Sequence, residues 1–592
     1  MKEAETNSPS NSMTATAIDA APTPMSAVRQ LRPSALMRAV FREERFFLVL
    51  SVFIGIFSGL AVVCFRISID WCRIYLVGSG YSPSPTRLIL APTLTGLVIA
   101  VLVIHVFPLA RGSGVNQTKA ALYIYNGYIP IRTAIGKFIT AALAIGSGQS
   151  LGPEDPSLQI GASLASALGR IMRLSRDRMR LIAPVGAAAG LAAAFNAPIS
   201  AVLFVIEEVI GRWSAGILGS VVLSAVSSVV VMRWFLGSQS LFRIPPVEMK
   251  QPGELLAYAL LGVIGGLASV IFAKGIGALR PWCKAQPRWT QYFQPAIAGL
   301  LIGFIGVLGA PQVMGAGYEY IDEAMHGQFT WQLLLLLAGL KILATTVSFV
   351  SGTPGGMFAP TLFIGAMLGT AVGGVERLFL PHLTGSPGTY ALVGMGVLFA
   401  GFLRAPMTSV FMVLEVSGNY SIILPVIVAN TVAYVISRAL QPVAIFDVLT
   451  RQDGLDLPSM EEQREEDVIR VEDAMRAPIR PVDANDSLGA VLQREDTNSD
   501  VLLVRLQPSG WSSVTKKEIE TMVNEGKADL TLGSVLATRR VPFLHPDHPV
   551  EMALRYVDRY PLVPVVNRAD FRKLEGVISL DDVLEAYQPE VG

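Results

Sequence analysis

From about Phe46 to Leu449 the chain carries few charges, whereas Leu449 to Gly592 is dense in Asp, Glu, Arg and Lys. This partition is the strongest constraint on the fold. A soluble surface needs about a quarter of all residues charged, but here the figure is 16%, with 52% hydrophobic and a mean hydropathy of +0.49. The apolar part therefore faces lipid, and the formal net charge of +1 averages two environments and identifies no partner. Apolar segments at Phe47–Phe65, Leu88–Val106, Ile217–Val231, Leu255–Ile276, Ala296–Leu308, Leu333–Phe349 and Ile422–Ile436 approach the roughly 20 residues a helix needs to span a bilayer. Others, at Ser147–Ile160, Gly352–Ile364 and Ala405–Leu414, are short or broken by Gly and Pro. Broken backbone survives at membrane depth only inside protein or beside a water-filled cavity, so these segments mark a transport pathway.

Residues 1–35 are rich in Ser, Thr, Ala, Pro and Asn and have no apolar run, which predicts a disordered cytoplasmic tail. Cys64, Cys72 and Cys283 form no CxxC or ligand cluster, so no disulfide framework or metal site is expected. Basic residues cluster before the first span (Arg29, Arg32, Arg38, Arg42, Arg45) and in a middle loop (Arg170, Arg173, Arg176, Arg178, Arg180). The positive-inside rule puts both, and hence the N-terminus, in the cytoplasm of a multi-pass cell-membrane protein, and the charged C-terminal region, for which no signal suggests export, is expected there too.

The chain also repeats itself. Gly152-Pro-Glu-Asp-Pro156-Ser-Leu-Gln-Ile-Gly-Ala162 aligns without a gap on Gly356-Met-Phe-Ala-Pro360-Thr-Leu-Phe-Ile-Gly-Ala366, at an offset of 204 residues. Val185-Gly186 through Ala197-Pro198 to Glu207 aligns on Val393-Gly394 through Ala405-Pro406 to Glu415, at an offset of 208. Two matches in register indicate duplication. Broken segments at equivalent places in two repeats are the sequence pointer to a transporter's binding site.

The chemistry of these segments suits an anion. A Gly-x-x-x-Pro start leaves backbone N–H groups unpaired at a helix N-terminus, where the helix dipole is positive. Gly112-Ser113-Gly114-Val115-Asn116, before an expected helix at Thr118–Tyr123, is a third such turn, and Ser113 adds a hydroxyl. The competing reading is that these glycines serve helix packing. Glu154 at a helix N-terminus can mimic the anion the site holds, or act simply as a cap. Glu207 and Glu208 are ionisable groups in an apolar segment, which makes them functional candidates, with a structural ion pair as the alternative.

These residues resemble the ClC family of chloride channels and chloride/proton exchangers, over roughly Phe46–Arg451. The family's anion motifs correspond to GSGVN (Gly112–Asn116), GPEDP (Gly152–Pro156) and GMFAP (Gly356–Pro360), and FNAPISAVLFVIEE (Phe195–Glu208) resembles its central helix. The resemblance implies an all-α polytopic membrane domain, residues 36–451, built as an inverted repeat of broken helices and working as a homodimer. It implies that Ser113, Gly114 and the amides of Met357 and Phe358 bind the anion. It makes Glu154 the gate, Glu208 the internal proton acceptor, and Lys137 a charge favouring anion access. Three positions depart from the family pattern. Pro153 and Asp155 replace a basic residue and a glycine around the gate, so that a second acid is expected to repel anions or share protons with Glu154. Asn116 replaces proline. Phe446, the match to a central tyrosine, keeps the ring but loses a hydroxyl donor, which implies weaker central binding and leaky coupling. Ser113 favours chloride over nitrate and sets the chain apart from the fluoride-specific branch.

After a linker at 452–466 the pattern becomes α/β. Val471–Met475 opens one unit (467–525) and Leu532–Leu536 a second (526–592), and the latter's Gly576–Leu584 resembles the close of a CBS domain. In nucleotide-binding CBS pairs the matching positions hold a ribose. Ser579 and Asp582, with Thr515 and Glu518 as counterparts, are thus candidates for an adenine nucleotide, while many such pairs are scaffolds without ligand. Transport needs no cofactor in this reading. The leading function is chloride/proton exchange; a Glu154-gated passive or voltage-gated chloride channel, or a partly uncoupled exchanger, is the alternative. A non-conducting nucleotide sensor would not need the retained donors. The pore lacks the carboxylate cluster divalent cations require. No nucleophile–base or metal constellation suggests an enzyme, and no nucleic-acid partner is expected.

Overall fold

The computed structural model describes residues 33–78, 84–211, 215–237, 242, 251–379, 385–455, 457, 470–493, 500–506, 510–548 and 550–586. The expected tail up to residue 32, with Arg29 and Arg32, and linker residues 456 and 458–466 lie outside them. The chain divides into two units, Met1–Ser459 and Met460–Gly592.

The first unit is helical and runs through the same eight-helix series twice. The first series is α1 (Pro33–Leu76), α2 (Pro85–Val101), α3 (Gly114–Tyr123), α4 (Ile131–Gly146), α5 (Glu154–Ile171), α6 (Arg176–Phe195), α7 (Pro198–Phe204, extended by a π-helical turn Val205–Ile210) and α8 (Ala215–Leu236). The second is α9 (Glu254–Ala285), α10 (Gln294–Val307), α11 (Tyr318–Met325), α12 (Trp331–Val350), α13 (Phe358–Phe379), α14 (Pro387–Leu403), α15 (Pro406–Ser417) and α16 (Ile423–Leu440), and α17 (Ile445–Gln452) follows. The packing repeats as well: α1 lies on α8 as α9 lies on α16, and α5 on α6 as α13 on α14, while α2 and α10 pack on each other. Among the described residues eight helices are long and apolar enough to cross a membrane. Exposed Phe53, Leu94, Val230, Ile271, Leu336 and Val435 give six of them apolar outer faces.

Local sequence explains the breaks. Proline at the first helical turn starts α7 and α15, where its missing N–H is no loss. The preceding helices end on left-handed residues at equivalent places, Asn196 (φ 57°) and Arg404 (φ 62°). Glycine packing is also real. A Cβ at Gly161 would lie 2.2 Å from the Gly186 carbonyl oxygen, and one at Gly365 would lie 2.3 Å from that of Gly394, so both helix pairs touch backbone to backbone.

Three expected segments differ from the structure. The helix expected at Thr118–Tyr123 begins at Gly114, because the Ser113 hydroxyl caps the Val115 amide and starts it sooner. Of the segment Gly352–Ile364 only residues 352–357 are irregular; the rest forms the first turns of α13, which is 22 residues long. Arg176, Arg178 and Arg180, expected in a loop, form the first turns of α6.

The second unit holds a three-stranded sheet and a two-stranded sheet. In the first, β1 (Val482–Asp483) runs parallel to β2 (Val501–Arg505), which pairs antiparallel with β3 (Trp511–Thr515). In the second, β4 (Val563–Val566) pairs antiparallel with β5 (Leu574–Ile578). The opening helices are exchanged. Val471 packs with Val550, Val565 and Ile578, whereas Leu532 and Leu536 pack with Val482, Leu488 and Val514. A boundary at 525/526 therefore separates two sequence units but not two closed cores.

Candidate functional site: paired helix N-termini in the membrane unit

The two aligned motifs meet each other. The Gly152 N–H donates to the Gly356 carbonyl at 2.8 Å, and the Gly356 N–H returns a bond of the same length to Gly152. This reciprocal bridge sets the starts of α5 and α13 side by side. The first intrahelical bonds arise at Ser157 (to Pro153) and Thr361 (to Met357), so the amides before them are free to face a ligand. Met357 and Phe358 are buried there. Both carboxylate oxygens of Glu154, the first residue of α5, are buried without a hydrogen-bond partner. A Cβ added at Gly152 would fall 2.4 Å from Glu154 Oε2 and 3.0 Å from the Ala359 nitrogen. Glycine is needed at 152 because the carboxylate and the α13 amides crowd that point.

The third turn joins through Asp155. Its Oδ1 accepts from the Gly114 amide at 2.6 Å and the Val115 amide at 3.1 Å. The second acid expected to repel anions or trade protons with Glu154 is thus turned onto the start of α3. Asn116, which replaces a donorless proline, donates from Nδ2 to the Phe446 carbonyl at 3.1 Å and so ties α3 to α17. The Phe446 ring packs against Phe358 and Phe204, with centroids 6.3 and 6.4 Å away.

Lys137 is fully buried, and its ammonium donates to the carbonyls of Ala110 (3.2 Å) and Gly112 (2.6 Å), behind the GSG turn. Its repeat counterpart Lys341 donates in the same way to Val313 (2.9 Å) and Gly315 (2.7 Å), behind Gly315-Ala316-Gly317. The GSG turn therefore has a GAG equivalent at the start of α11. The sequence reading missed it, although shifting Lys137 by the 204-residue offset reaches Lys341. A cavity of about 440 Å³, lined by Arg66, Asp70, Arg73, Gly315 and Glu319 among others, reaches Pro153 beside Glu154. Arg66 acts electrostatically on Glu154 from α1, beside a motif in which Pro153 stands where a basic residue is expected.

Glu208 lies on the π-helical turn after α7 and accepts from the buried Lys119 ammonium at 2.5 Å, and Lys119 also reaches Asp447 at 3.4 Å. Glu207 instead caps α15, accepting from the amides of Met407 (3.1 Å) and Thr408 (2.9 Å). Its repeat counterpart Glu415 caps α7 through Ile199 (2.8 Å) and Ser200 (2.7 Å). Lys119 and Asp447 escaped the sequence reading, though a lysine and an aspartate in apolar surroundings were a signal. Ser113, Gly114, Glu154, Glu208, Met357, Phe358 and Phe446 thus fall in one connected cluster, with Lys137 directly behind it.

In the second unit Thr515 and Glu518 form a reciprocal capping box, and Glu518 also accepts from Arg539 at 2.8 Å. Asp582 accepts from the Ser579 amide (2.8 Å) and hydroxyl (2.7 Å) and from Arg476, whose guanidinium also reaches the Ser579 hydroxyl at 2.7 Å. Burial pushes the Asp582 and Glu518 carboxyls up, but these hydrogen bonds outweigh it and hold both below their ordinary values. The carboxylate of each candidate pair is therefore already engaged by an arginine.

The sequence model of the voltage gated chloride channel family matches residues 95–438, and that of the CBS domain matches residues 532–589. A ClcB-like protein of Ralstonia nicotianae is 31% identical over 425 residues, which cover 69% of this chain and 99% of the relative. The H(+)/Cl(-) exchange transporter ClcA of Vibrio campbellii is 34% identical over 345 residues, 57% of this chain and 73% of that protein. Among solved structures, a eukaryotic CLC transporter covers 90% of this chain and 97% of its own length at 19% identity, with a TM-score of 0.60. A slow cyanobacterial Cl-/H+ antiporter covers 71% of this chain and 99% of its own at 24% identity, with a TM-score of 0.62. These likenesses place the fold.

Proposed function

The chain belongs to the voltage gated chloride channel family, and on that footing we propose that it exchanges chloride for protons across a membrane, with Glu154 as the gate. The observation that carries this reading is the Gly152–Gly356 bridge, with the unpaired, buried Glu154 carboxylate beside the α13 amides. A carboxylate facing backbone amides such as that of Ala359 at an anion-attracting helix start is a tethered stand-in for chloride. Ionised, it competes for the site; protonated, it leaves and carries the proton with it. Met357 and Phe358 amides and the Ser113 hydroxyl are the chloride donors, and Glu208 receives protons from the other side. The working unit is a homodimer in the cell membrane with both termini cytoplasmic and one pathway per subunit. Adenine nucleotide in the tail would have to displace Arg476 or Arg539, so transport without nucleotide is the expected state.

The test is flux from liposomes holding the purified chain and a chloride gradient, with external pH recorded alongside chloride. Chloride movement is expected to drive protons uphill, and Glu154→Ala and Glu208→Ala to lose that drive. Chloride flow without linked protons would instead make it a passive channel or an uncoupled exchanger, readings favoured by Phe446 and by the Lys119 clamp on Glu208. No chloride flux would overturn both.

A further inference from the structure

The amides at the start of α3 already hold a carboxyl group, and it belongs to the chain. Asp155 Oδ1 takes the Gly114 and Val115 amides at 2.6 and 3.1 Å, and the Val115 amide also lies 3.2 Å from Ser113 Oγ. This is the turn whose Ser113 hydroxyl the chloride reading makes a donor. The seat is built for the carboxylate. A Cβ at Gly114 would lie 2.6 Å from Asp155 Oδ1, and one at Gly356 would lie 2.7 Å from Asp155 Cβ, so glycine on both sides makes room. Asp155 is 1% exposed and is the second residue of α5, so a rigid element holds it in place. Lys137, bonded to the carbonyls just behind the turn, is the cation that acts on it.

Asp155 differs from Glu154 in the property that matters for gating. The Glu154 carboxyl has no well-formed hydrogen bond and only its own and the Ala359 amides beside it, whereas Asp155 Oδ1, though not Oδ2, is held by two amide donors of α3 on a side chain one methylene shorter. The duplication isolates it further. Its repeat counterpart is Ala359, and the GAG turn at Gly315 is followed by Tyr318. The acid thus breaks the internal symmetry at the one turn that carries the serine hydroxyl.

We propose that Asp155 is a fixed internal anion seated on the α3 amides, which opposes chloride beside the Ser113 turn and sets the anion affinity of this chain. The proposal rests on the chloride-transport reading. A carboxylate held there repels a second anion and takes up two amides at the start of α3 that could otherwise attract one. Exchange then proceeds with weak, quickly released chloride, in a site where Phe446 contributes no hydroxyl.

Chloride binding to the purified full-length protein by isothermal titration calorimetry, with liposome flux beside it, tests the proposal. Asp155→Gly and Asp155→Asn are both expected to bind chloride about tenfold more tightly than the parent, or better still. Asparagine retains the size of the side chain and an acceptor oxygen for the α3 amides, so it reports on charge even if the glycine variant fails to fold. Unchanged or weaker chloride binding by Asp155→Asn, with a parent that transports chloride, overturns the inference and leaves the transport reading standing. A parent that neither binds nor moves chloride removes both.

Discussion

Lys119 is the residue whose removal tests the buried charge arrangement most directly. Its ammonium is shared by two carboxylates, Glu208 at 2.5 Å and Asp447 at 3.4 Å, and its side chain is only 3% exposed. Lys119→Met leaves two buried acids facing each other without a cation, and breaking a buried pair in this way costs about 3–5 kcal/mol. Glu208→Gln is milder. It gives up one charge-assisted hydrogen bond, worth about 1.5–3 kcal/mol, but leaves a neutral Lys119–Asp447 pair. If the two residues acted independently, the double variant would lose about 4.5–8 kcal/mol. Because the glutamine removes one of the acids the lysine had to neutralise, the double variant is expected to lose no more than Lys119→Met alone. The coupling is then at least about 1.5 kcal/mol, within the range for residues in direct contact. Equilibrium unfolding in detergent micelles, followed by tryptophan fluorescence on the four proteins, measures it. Additive losses, within about 0.5 kcal/mol, would refute the shared-ammonium arrangement.

Other expectations follow from the same geometry. Glu207→Ala and Glu415→Ala each remove a cap from a repeat-related helix and should each cost about 1–2 kcal/mol; markedly unequal losses in the same unfolding assay would count against equivalent caps. Phe446→Tyr restores a hydroxyl to the ring beside Phe358, and its bond to a bound anion, worth about 1.5–3 kcal/mol, should tighten chloride binding tenfold or more in calorimetry. In the second unit the folded-state carboxyls of Asp582 and Glu518 lie below their unfolded values. Their contribution to stability is therefore complete above the unfolded values of about 3.9 and 4.3 and is lost as pH falls below these through the folded ones. Hydrogen exchange of residues 471–586 in the full-length chain should show protection falling below about pH 4, and less steeply in Arg476→Ala.

What the sequence revealed, and what it hid, divides along a physical line. The register of Gly152 on Gly356 was legible because duplication preserves spacing, and the structure turns that register into a hydrogen-bonded bridge. The Pro-led starts of α7 and α15 were legible because proline has few places in a helix. Contacts between distant residues were not. Lys119 and Glu208 are 89 positions apart, and Lys119 and Asp447 are 328 apart, so no local pattern joins them. The direction of Asp155 was hidden for a different reason. Consecutive residues on the first turn of a helix point about 100° apart, so Glu154 and Asp155 read as adjacent acids but serve different elements. The exchanged opening helices of the second unit likewise follow from tertiary packing of Val471 and Leu532, which chain order does not encode.

The disposition of the buried lysines bears on how such a pathway can release what it holds. Lys137 and Lys341 spend their ammonium groups on backbone carbonyls, and Lys119 spends its on two carboxylates. None of the three points an unengaged charge at the meeting point of α5 and α13. A full positive charge in direct contact with chloride in a low-dielectric interior would trap it, whereas conduction requires binding strong enough to admit an ion and weak enough to let it leave. The lysines act one step back. By clamping the carbonyls of Gly112 and Gly315 they fix the two turns, and the turns aim the amides that follow. Lys137→Met should therefore disturb anion binding mainly through the geometry of the Ser113 turn. It should weaken chloride affinity in Asp155→Asn protein as it does in the parent, because the turn is loosened in both. If Lys137→Met lowers affinity in the parent but has no effect once Asp155 is neutral, the lysine works by balancing that one carboxylate and the argument from turn geometry fails.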